Sequence, residues 1–206
     1  MSFMQIGKVF ERITSLGPGN RLVIWVVGCN RRCEGCVSPE LRTPDPSTEI
    51  DLKDFCNMLD FTSIDGVTIT GGEPFLQASE LAKLIQMLTL NGIDDIIVYT
   101  GYTYEELLAS TDKNIAFILE HIAMLVDGPF EVNKIDNRPM RGSTNQNIIV
   151  LNRKYDAIYK EYLEGEKSLN IVKLDNNEVH FVGIPPSDYV DLYAQYLNAI
   201  KKQAHI

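Results

Sequence analysis

Four short apolar runs in this chain each end in a glycine- or cysteine-bearing turn, and that recurrence constrains the fold more than any other feature. Arg21 to Val27 is continuous and closes at Gly28, and Gly66 to Thr70 runs into Gly71-Gly72-Glu73-Pro74. Asp95 to Thr100 runs into Gly101, and Ala123 to Val126 into Asp127-Gly128-Pro129. Unbroken apolar runs of this length predict strands buried on both faces. Between them the spacing turns helical: Ile50 to Asp60, Ala78 to Leu90 with a stop at Asn91-Gly92, Tyr104 to Ala109, and Ile115 to His121. A fifth strand is expected over Asn147 to Leu151. Strands alternating with helices predict an α/β fold with a mostly parallel sheet and right-handed crossovers. In such sheets a ligand site lies beyond the carboxyl ends of the strands, so the four turns are expected on one face.

After Leu151 the pattern changes. Lys154 to Leu163 reads as a helix, and Leu169 to Leu174 with Val179 to Ile184 as a hairpin around Asn176-Asn177. Ser187 is a suitable cap for a last helix over Tyr189 to Lys202. The 206 residues therefore suggest one core domain over 1–152 and a C-terminal extension of helix, hairpin and helix over 153–206. A formal charge of -9 argues against nucleic acid as a partner, which would require a basic face. The N-terminal residues mix polar and apolar types, and no apolar stretch approaches twenty residues, so neither a secretory signal nor a membrane span is expected. The expected location is cytoplasmic, where clustered cysteines are more often metal ligands or redox groups than disulfides.

Such a cluster follows the first run. Cys29, Cys33 and Cys36 have the spacing C-x3-C-x2-C, with no fourth cysteine nearby. Three readings are open. Three thiolates can hold three corners of a cubane iron–sulfur cluster, leaving one iron for substrate or cofactor. A zinc site would have to recruit Cys56 or a histidine, yet Cys56 falls on the apolar face of an expected helix and reads as a small hydrophobe. A redox C-x-x-C would leave Cys29 without a role. The Thr70-Gly71-Gly72-Glu73-Pro74 turn is either a strand-to-helix turn needing unusual dihedrals or a cradle for a ligand. Backbone groups bared by two glycines beside a carboxylate suit a ligand carrying both an ammonium and a carboxylate, and so does an open iron.

Together the cysteine triplet and the GGEP turn resemble the radical S-adenosylmethionine superfamily. Within it, Gly17-Pro18-Gly19-Asn20-Arg21, Tyr99-Thr100-Gly101-Tyr102, Leu125-Val126-Asp127-Gly128 and Arg141-Gly142-Ser143-Thr144-Asn145-Gln146 resemble the activating proteins of class III, anaerobic ribonucleotide reductases. These motifs occur in the same order across about residues 5–151. The resemblance implies an incomplete parallel (β/α) barrel with a C-terminal ββα extension. It further implies that Cys29, Cys33 and Cys36 hold a [4Fe-4S] cluster whose open iron chelates S-adenosylmethionine. Reduction would break the sulfonium carbon–sulfur bond, giving a 5′-deoxyadenosyl radical that takes hydrogen from a glycine of a glycyl radical enzyme, foremost anaerobic ribonucleoside-triphosphate reductase. The cluster and cofactor carry that chemistry, so no side chain is expected to be catalytic. The alternative is the same chemistry on another glycyl radical enzyme, a peptide or a small molecule. Gly71, Gly72 and Glu73, with Thr70, would line the methionine end, and Gly35 and Val37 the adenosine. Thr100 and Asp127 would sit at neighbouring strand ends. A flavodoxin- or ferredoxin-type reductant is implied as a second partner.

The chain departs from many superfamily members at Gly35, where an aromatic residue often precedes the last cysteine; the reductase activators share the glycine. Tyr99 and Pro129 stand where pyruvate formate-lyase activators carry an acidic residue and a lysine, so their cation-binding arrangement does not carry over. Arg31 and Arg32 read as solvated loop charges, with steering of an anionic partner or tuning of a cluster as the alternative. Arg141 is expected either to contact a ligand carboxylate or to fix the turn it begins.

Overall fold

The computed structural model describes residues 2–173 and 179–186. The expected turn at Asn176-Asn177 and the last helix, with Ser187 and its tyrosines, lie outside them. Seven strands form one sheet and two form a separate hairpin. The large sheet contains β1 (Phe3–Ile13), β2 (Arg21–Val26), β3 (Glu49–Asp51), β4 (Gly66–Gly71), β5 (Ile96–Tyr99), β6 (Met124–Asp127) and β7 (Asn147–Val150). Its order is β3-β1-β2-β4-β5-β6-β7.

Parallel pairing is confined to the centre, β2 with β4, β4 with β5 and β5 with β6. The flanks are antiparallel: β1 pairs so with both β2 and β3, and β6 with β7. The cause at β7 is its connection. Residues 128–146 contain only a short 3-10 turn, Val132–Lys134, and without a crossover helix the chain must return antiparallel. Strand β1 was not expected. Its register slips twice against β2, between Ile6 and Lys8 and between Phe10 and Ile13, and Arg12 has φ 59°. Each slip breaks the two-residue alternation by which a strand is read from sequence.

Five helices are described: α1 (Leu52–Asn57), α2 (Ala78–Leu90), α3 (Tyr104–Leu108), α4 (Lys113–His121) and α5 (Asp156–Leu163). The helix expected from Ile50 begins later because the Asp51 carboxylate accepts from the Lys53 and Asp54 amides, which leaves Ile50 in β3. Helix α2 has the expected bounds. Its end at Asn91-Gly92 is a Schellman cap, with Ile93 N donating to Leu88 O and Gly92 N to Thr89 O, both at 3.0 Å, and Gly92 at φ +85°.

The two sheet faces differ in what covers them. Leu22, Ile24, Val26, Val67, Ile69, Ile96, Val98 and Leu125 pack against the helices α1, α2 and α4. In α2 the fully buried Leu81, Leu84, Ile85 and Leu88 each contribute about 1.5–3 kcal/mol. The alternate residues face the other way. Ile97, Met124 and Val126 cluster with Met140 and with Tyr159 of α5, while Val23 clusters with Ile13, Leu16 and Val182. Val182 belongs to the hairpin of β8 (Asn170–Lys173) and β9 (Val179–Val182), which pair antiparallel. Among the described residues no helix is long and apolar enough to cross a membrane.

At the amino ends of the parallel strands lies a closed polar network. Arg21 is fully buried at the start of β2. Its Nε donates to Thr68 Oγ1 at 2.7 Å, Nη1 to Asp95 Oδ2 at 3.0 Å and Nη2 to Val67 O at 2.7 Å. The Tyr159 hydroxyl donates to Asp95 Oδ1, tying α5 to the same carboxylate. Burial and the Asp95 charge push the Tyr159 phenol far up, so it is a fixed neutral donor.

Candidate functional site

The loop after β2 is clasped at its base. Gly28 N donates to Leu41 O at 2.8 Å and Cys29 N to Arg42 O at 2.9 Å, so the ends of the 29–42 excursion are zipped together. Arg42 Nη2 also donates to Cys33 O inside the loop. Cys29, Cys33 and Cys36 are free, partly exposed thiols on this loop, whereas Cys56 is buried in α1 within the helix-side core. The expectation for Cys56 as a small hydrophobe matches that placement. Burial raises the Cys29 thiol pKa, with Glu73 and the other two cysteines adding to it, against an Arg31 amide that approaches the sulfur at 3.4 Å.

The strand-end glycines allow the turns to press against this loop. Gly71 has φ +108°, and a Cβ there would lie 2.6 Å from the Val26 backbone. A Cβ on Gly72 would lie 2.2 Å from Gly28 O, so no other residue fits without moving backbone. Gly72 N donates to Val26 O and Glu73 N to Gly28 O, both at 2.8 Å, extending the parallel ladder past the strand ends.

Glu73 is 1% exposed and bridges two of the turns. Its Oε1 accepts from Thr100 Oγ1 at 2.8 Å and Phe75 N at 3.0 Å, and Oε2 from Gly101 N at 2.7 Å. Burial raises its pKa, while these three bonds and the Arg31 charge act in the opposite direction. A carboxylate has about four acceptor positions, so Oε2 keeps room for one more donor.

These groups line one cavity of about 660 Å³, within the range of small-molecule sites. It brings together the three cysteines with Gly35, Val37, Thr70, Gly71, Gly72, Glu73 and Thr100. Val37 stands at the rim, 64% exposed. Asp127 is the exception. It is fully buried and absent from the lining; its Oδ2 accepts from Tyr104 N at 2.7 Å and its Oδ1 from Asn147 N at 2.9 Å. Its carboxylate joins α3 and β7 to the end of β6, and only the adjacent Gly128 reaches the cavity. The LVDG sequence marked the right strand end, but burial turned its acid away from the site.

Arg31 also differs from expectation. It is not a solvated loop charge: Nη2 pairs with Glu106 Oε2 at 3.0 Å, and the guanidinium lies 4.2 Å from the Tyr102 ring centroid. A Cβ on Gly101 would meet its Cγ at 2.8 Å, and it lines the cavity. Asn30 Nδ2 donates to the Tyr102 hydroxyl at 2.7 Å, so two loop residues strap the cysteines to the turn before α3. The sequence signal was present in Tyr102 and the Thr103–Glu106 capping box, which fix where Glu106 points. Arg141 fixes its own turn, donating to Asp136 Oδ2 and Gln146 O. Gln146 in turn accepts from Gly142 N and donates to Gly128 O. Arg42, Lys8, Phe10 and Trp25 line the cavity without having been singled out in the sequence. They come from the clasped loop, from the unexpected strand β1, and from β2.

Among the described residues no group of three His, Cys, Asp or Glu side chains converges closely enough for a single metal ion. A cubane spreads its thiolates over separate corners, so the site requirement differs. Three free, partly exposed thiols on one clasped loop that lines the cavity, with a backbone amide on one sulfur, suit such a cluster.

A family model described as "4Fe-4S single cluster domain" matches residues 15–149. The chain belongs to that family of 4Fe-4S single cluster domains. It is 30% identical over 138 residues to the anaerobic ribonucleoside-triphosphate reductase-activating protein of Enterobacteria phage T4, covering 64% of this chain and 85% of the relative. The protein of the same name from Pasteurella multocida is 35% identical over 142 residues, covering 64% and 88%. The pyruvate formate-lyase-activating enzyme of Staphylococcus epidermidis is 28% identical over 148 residues, covering 67% of this chain and 57% of that enzyme.

Proposed function

We propose that this chain is a radical S-adenosylmethionine activase that takes hydrogen from a glycine of a glycyl radical enzyme, anaerobic ribonucleoside-triphosphate reductase being the leading partner. One observation carries the reading. Three free thiols, the two-glycine turn and the buried Glu73 share a single cavity at the carboxyl ends of parallel strands, in a chain akin to reductase-activating proteins. When bound, a [4Fe-4S] cluster and S-adenosylmethionine supply reductive carbon–sulfur cleavage to a 5′-deoxyadenosyl radical.

The chain's own residues bind and orient. Cys29, Cys33 and Cys36 would hold the cluster. The Gly71-Gly72 turn would line the methionine end, and the remaining acceptor position on Glu73 Oε2 would accept a hydrogen bond from the cofactor's amino group. Gly35 and Val37 would border the adenosine, while Thr100 holds the Glu73 carboxylate in place. Arg31 adds a fixed positive charge beside the turn, suited to a carboxylate. We read the fold as an incomplete (β/α) barrel, with a core over 1–152, an extension beyond it, a flavodoxin- or ferredoxin-type electron donor and a cytoplasmic setting.

The test is anaerobic reconstitution with iron and sulfide, then reduction with S-adenosylmethionine and a cognate reductase. The expected result is about four irons and four acid-labile sulfides per chain, 5′-deoxyadenosine, and a glycyl radical by electron paramagnetic resonance. Stoichiometric zinc without sulfide would overturn the enzyme reading. Deoxyadenosine without a glycyl radical would move the substrate elsewhere.

A further inference from the structure

The hairpin β8–β9 stands on the sheet face opposite α1, α2 and α4, the face that also carries α5, and it reaches the site. Val182 is buried with Ile13, Leu16 and Val23. Ser15 Oγ donates to Val182 O at 2.7 Å, and the Asn170 carboxamide oxygen accepts from Thr14 N at 3.0 Å and Ser15 N at 2.9 Å. Just upstream, Lys167 Nζ donates to Asp136 O and Arg141 O, each at 2.8 Å, fastening the entry to the hairpin onto the 128–146 loop. A free two-stranded hairpin is marginal in water, so these anchors and Val182 hold it in place.

From there His180, Phe181 and the 183–186 segment line the same cavity as the three cysteines. A row of rings joins this wall to the sheet: Trp25 lies 5.6 Å from Phe10, and Phe10 lies 5.2 Å from His180. The family match ends at residue 149, so the cysteine side of the cavity is built by the shared segment and the facing wall by residues outside it. Such a division separates a common chemistry from an individual selectivity.

We propose that the hairpin is the substrate-selecting wall of the site, and that Phe181 and Ile184 hold an extended peptide segment with its glycine turned toward the cysteine loop. This rests on the activase reading. A nucleoside-sized cofactor takes a large share of about 660 Å³. The proposed slot is bordered by Trp25, Phe130, Phe181 and Ile184, apolar residues of the cavity lining. A backbone without a side chain enters such a slot; a branched residue does not. The apolar wall binds the flanking side chains and leaves cofactor contacts to the strand-end turns.

Trp25 is the chain's only tryptophan and reports on this slot directly. The reconstituted full-length protein is titrated, by Trp25 emission, with a synthetic peptide spanning the radical-bearing glycine of a cognate reductase. Saturable binding is expected, lost when that peptide's glycine is replaced by valine. In Phe181→Ala/Ile184→Ala, peptide affinity falls about tenfold or more, as for removal of buried apolar contacts, while S-adenosylmethionine affinity by equilibrium dialysis stays within about twofold. Phe181→Leu with Ile184→Val, which keeps most of the apolar volume, takes its place if the alanine variant does not fold, with a smaller loss in the same direction. Unchanged peptide affinity, or an equal fall for peptide and S-adenosylmethionine, overturns the proposal. The titration needs no turnover. Failure of wild-type protein to cleave S-adenosylmethionine therefore counts against the activase reading alone, and failure of peptide selectivity against the hairpin alone.

Discussion

The two ends of the parallel strands show opposite ways of handling polar groups. At the amino ends, Arg21 and Asp95 are buried and answered by Thr68, Val67 and Tyr159. That network is closed: each buried polar group is answered by another. At the carboxyl ends, bulk is removed: glycines stand where any Cβ would strike backbone, three thiols remain free, and a cavity opens. A buried ion pair is weak evidence for net stability, but removing one partner is costly, so the amino edge acts as a lock on geometry. The carboxyl edge spends that fixed geometry on an open site. The lesson is one of division: the same strands are pinned at one end so that the other can stay incomplete.

Substitutions at each end should separate these roles, and the largest effect belongs to the cysteines. Cys33→Ala is expected to abolish cluster incorporation and all 5′-deoxyadenosine formation, with a change in apoprotein stability of about 0.5 kcal/mol or less, because the residue is partly exposed on a loop. Iron and sulfide analysis beside a urea melt checks both halves. Asp95→Ala reverses the pattern. It leaves the Arg21 charge buried and unpaired, so stability should fall by about 3–5 kcal/mol, read as a lower denaturation midpoint. Gly72→Ala tests the carboxyl edge from within. The clash with Gly28 O should cost about 1–3 kcal/mol and weaken S-adenosylmethionine binding with it, seen by melts and equilibrium dialysis. Tyr159→Phe removes one donor to Asp95 while Arg21 keeps its partners. A loss of about 1–2 kcal/mol with normal cluster content is expected, and a loss of iron instead would blur the division.

Much of this was legible in the sequence, for physical reasons. Strands β2, β4, β5 and β6 are buried on both faces, so their runs are continuous and unmistakable; α2 carries both its stripe and its stop at Gly92. Strand β1 was hidden because two register slips scramble its alternation. The antiparallel return of β7 depended on the absence of a helix between 128 and 146, which composition does not state. At the site, Cys29, Cys33, Cys36, Gly71, Gly72 and Glu73 were marked by spacing. Asp127 was marked too, but which way a buried carboxylate turns depends on amides supplied by Tyr104 and Asn147. Arg31 was undervalued for the same reason: its partners Tyr102 and Glu106 come from a different strand-end turn.

The clasp formed by Gly28 with Leu41 and Cys29 with Arg42 has a consequence for repair. Clusters of this kind are destroyed by oxygen, and a chain that needed metal to close its loop would unfold each time. Here backbone bonds hold the base of the loop closed, and the ordering cost is met by the polypeptide before any iron arrives. Loss and reinsertion of the inorganic core should therefore leave the scaffold standing. Repeated cycles of chelation and reconstitution ought to leave the far-ultraviolet dichroism and the denaturation midpoint of the apoprotein unchanged. A midpoint that drifts with each cycle would show that metal, not backbone, keeps the loop shut.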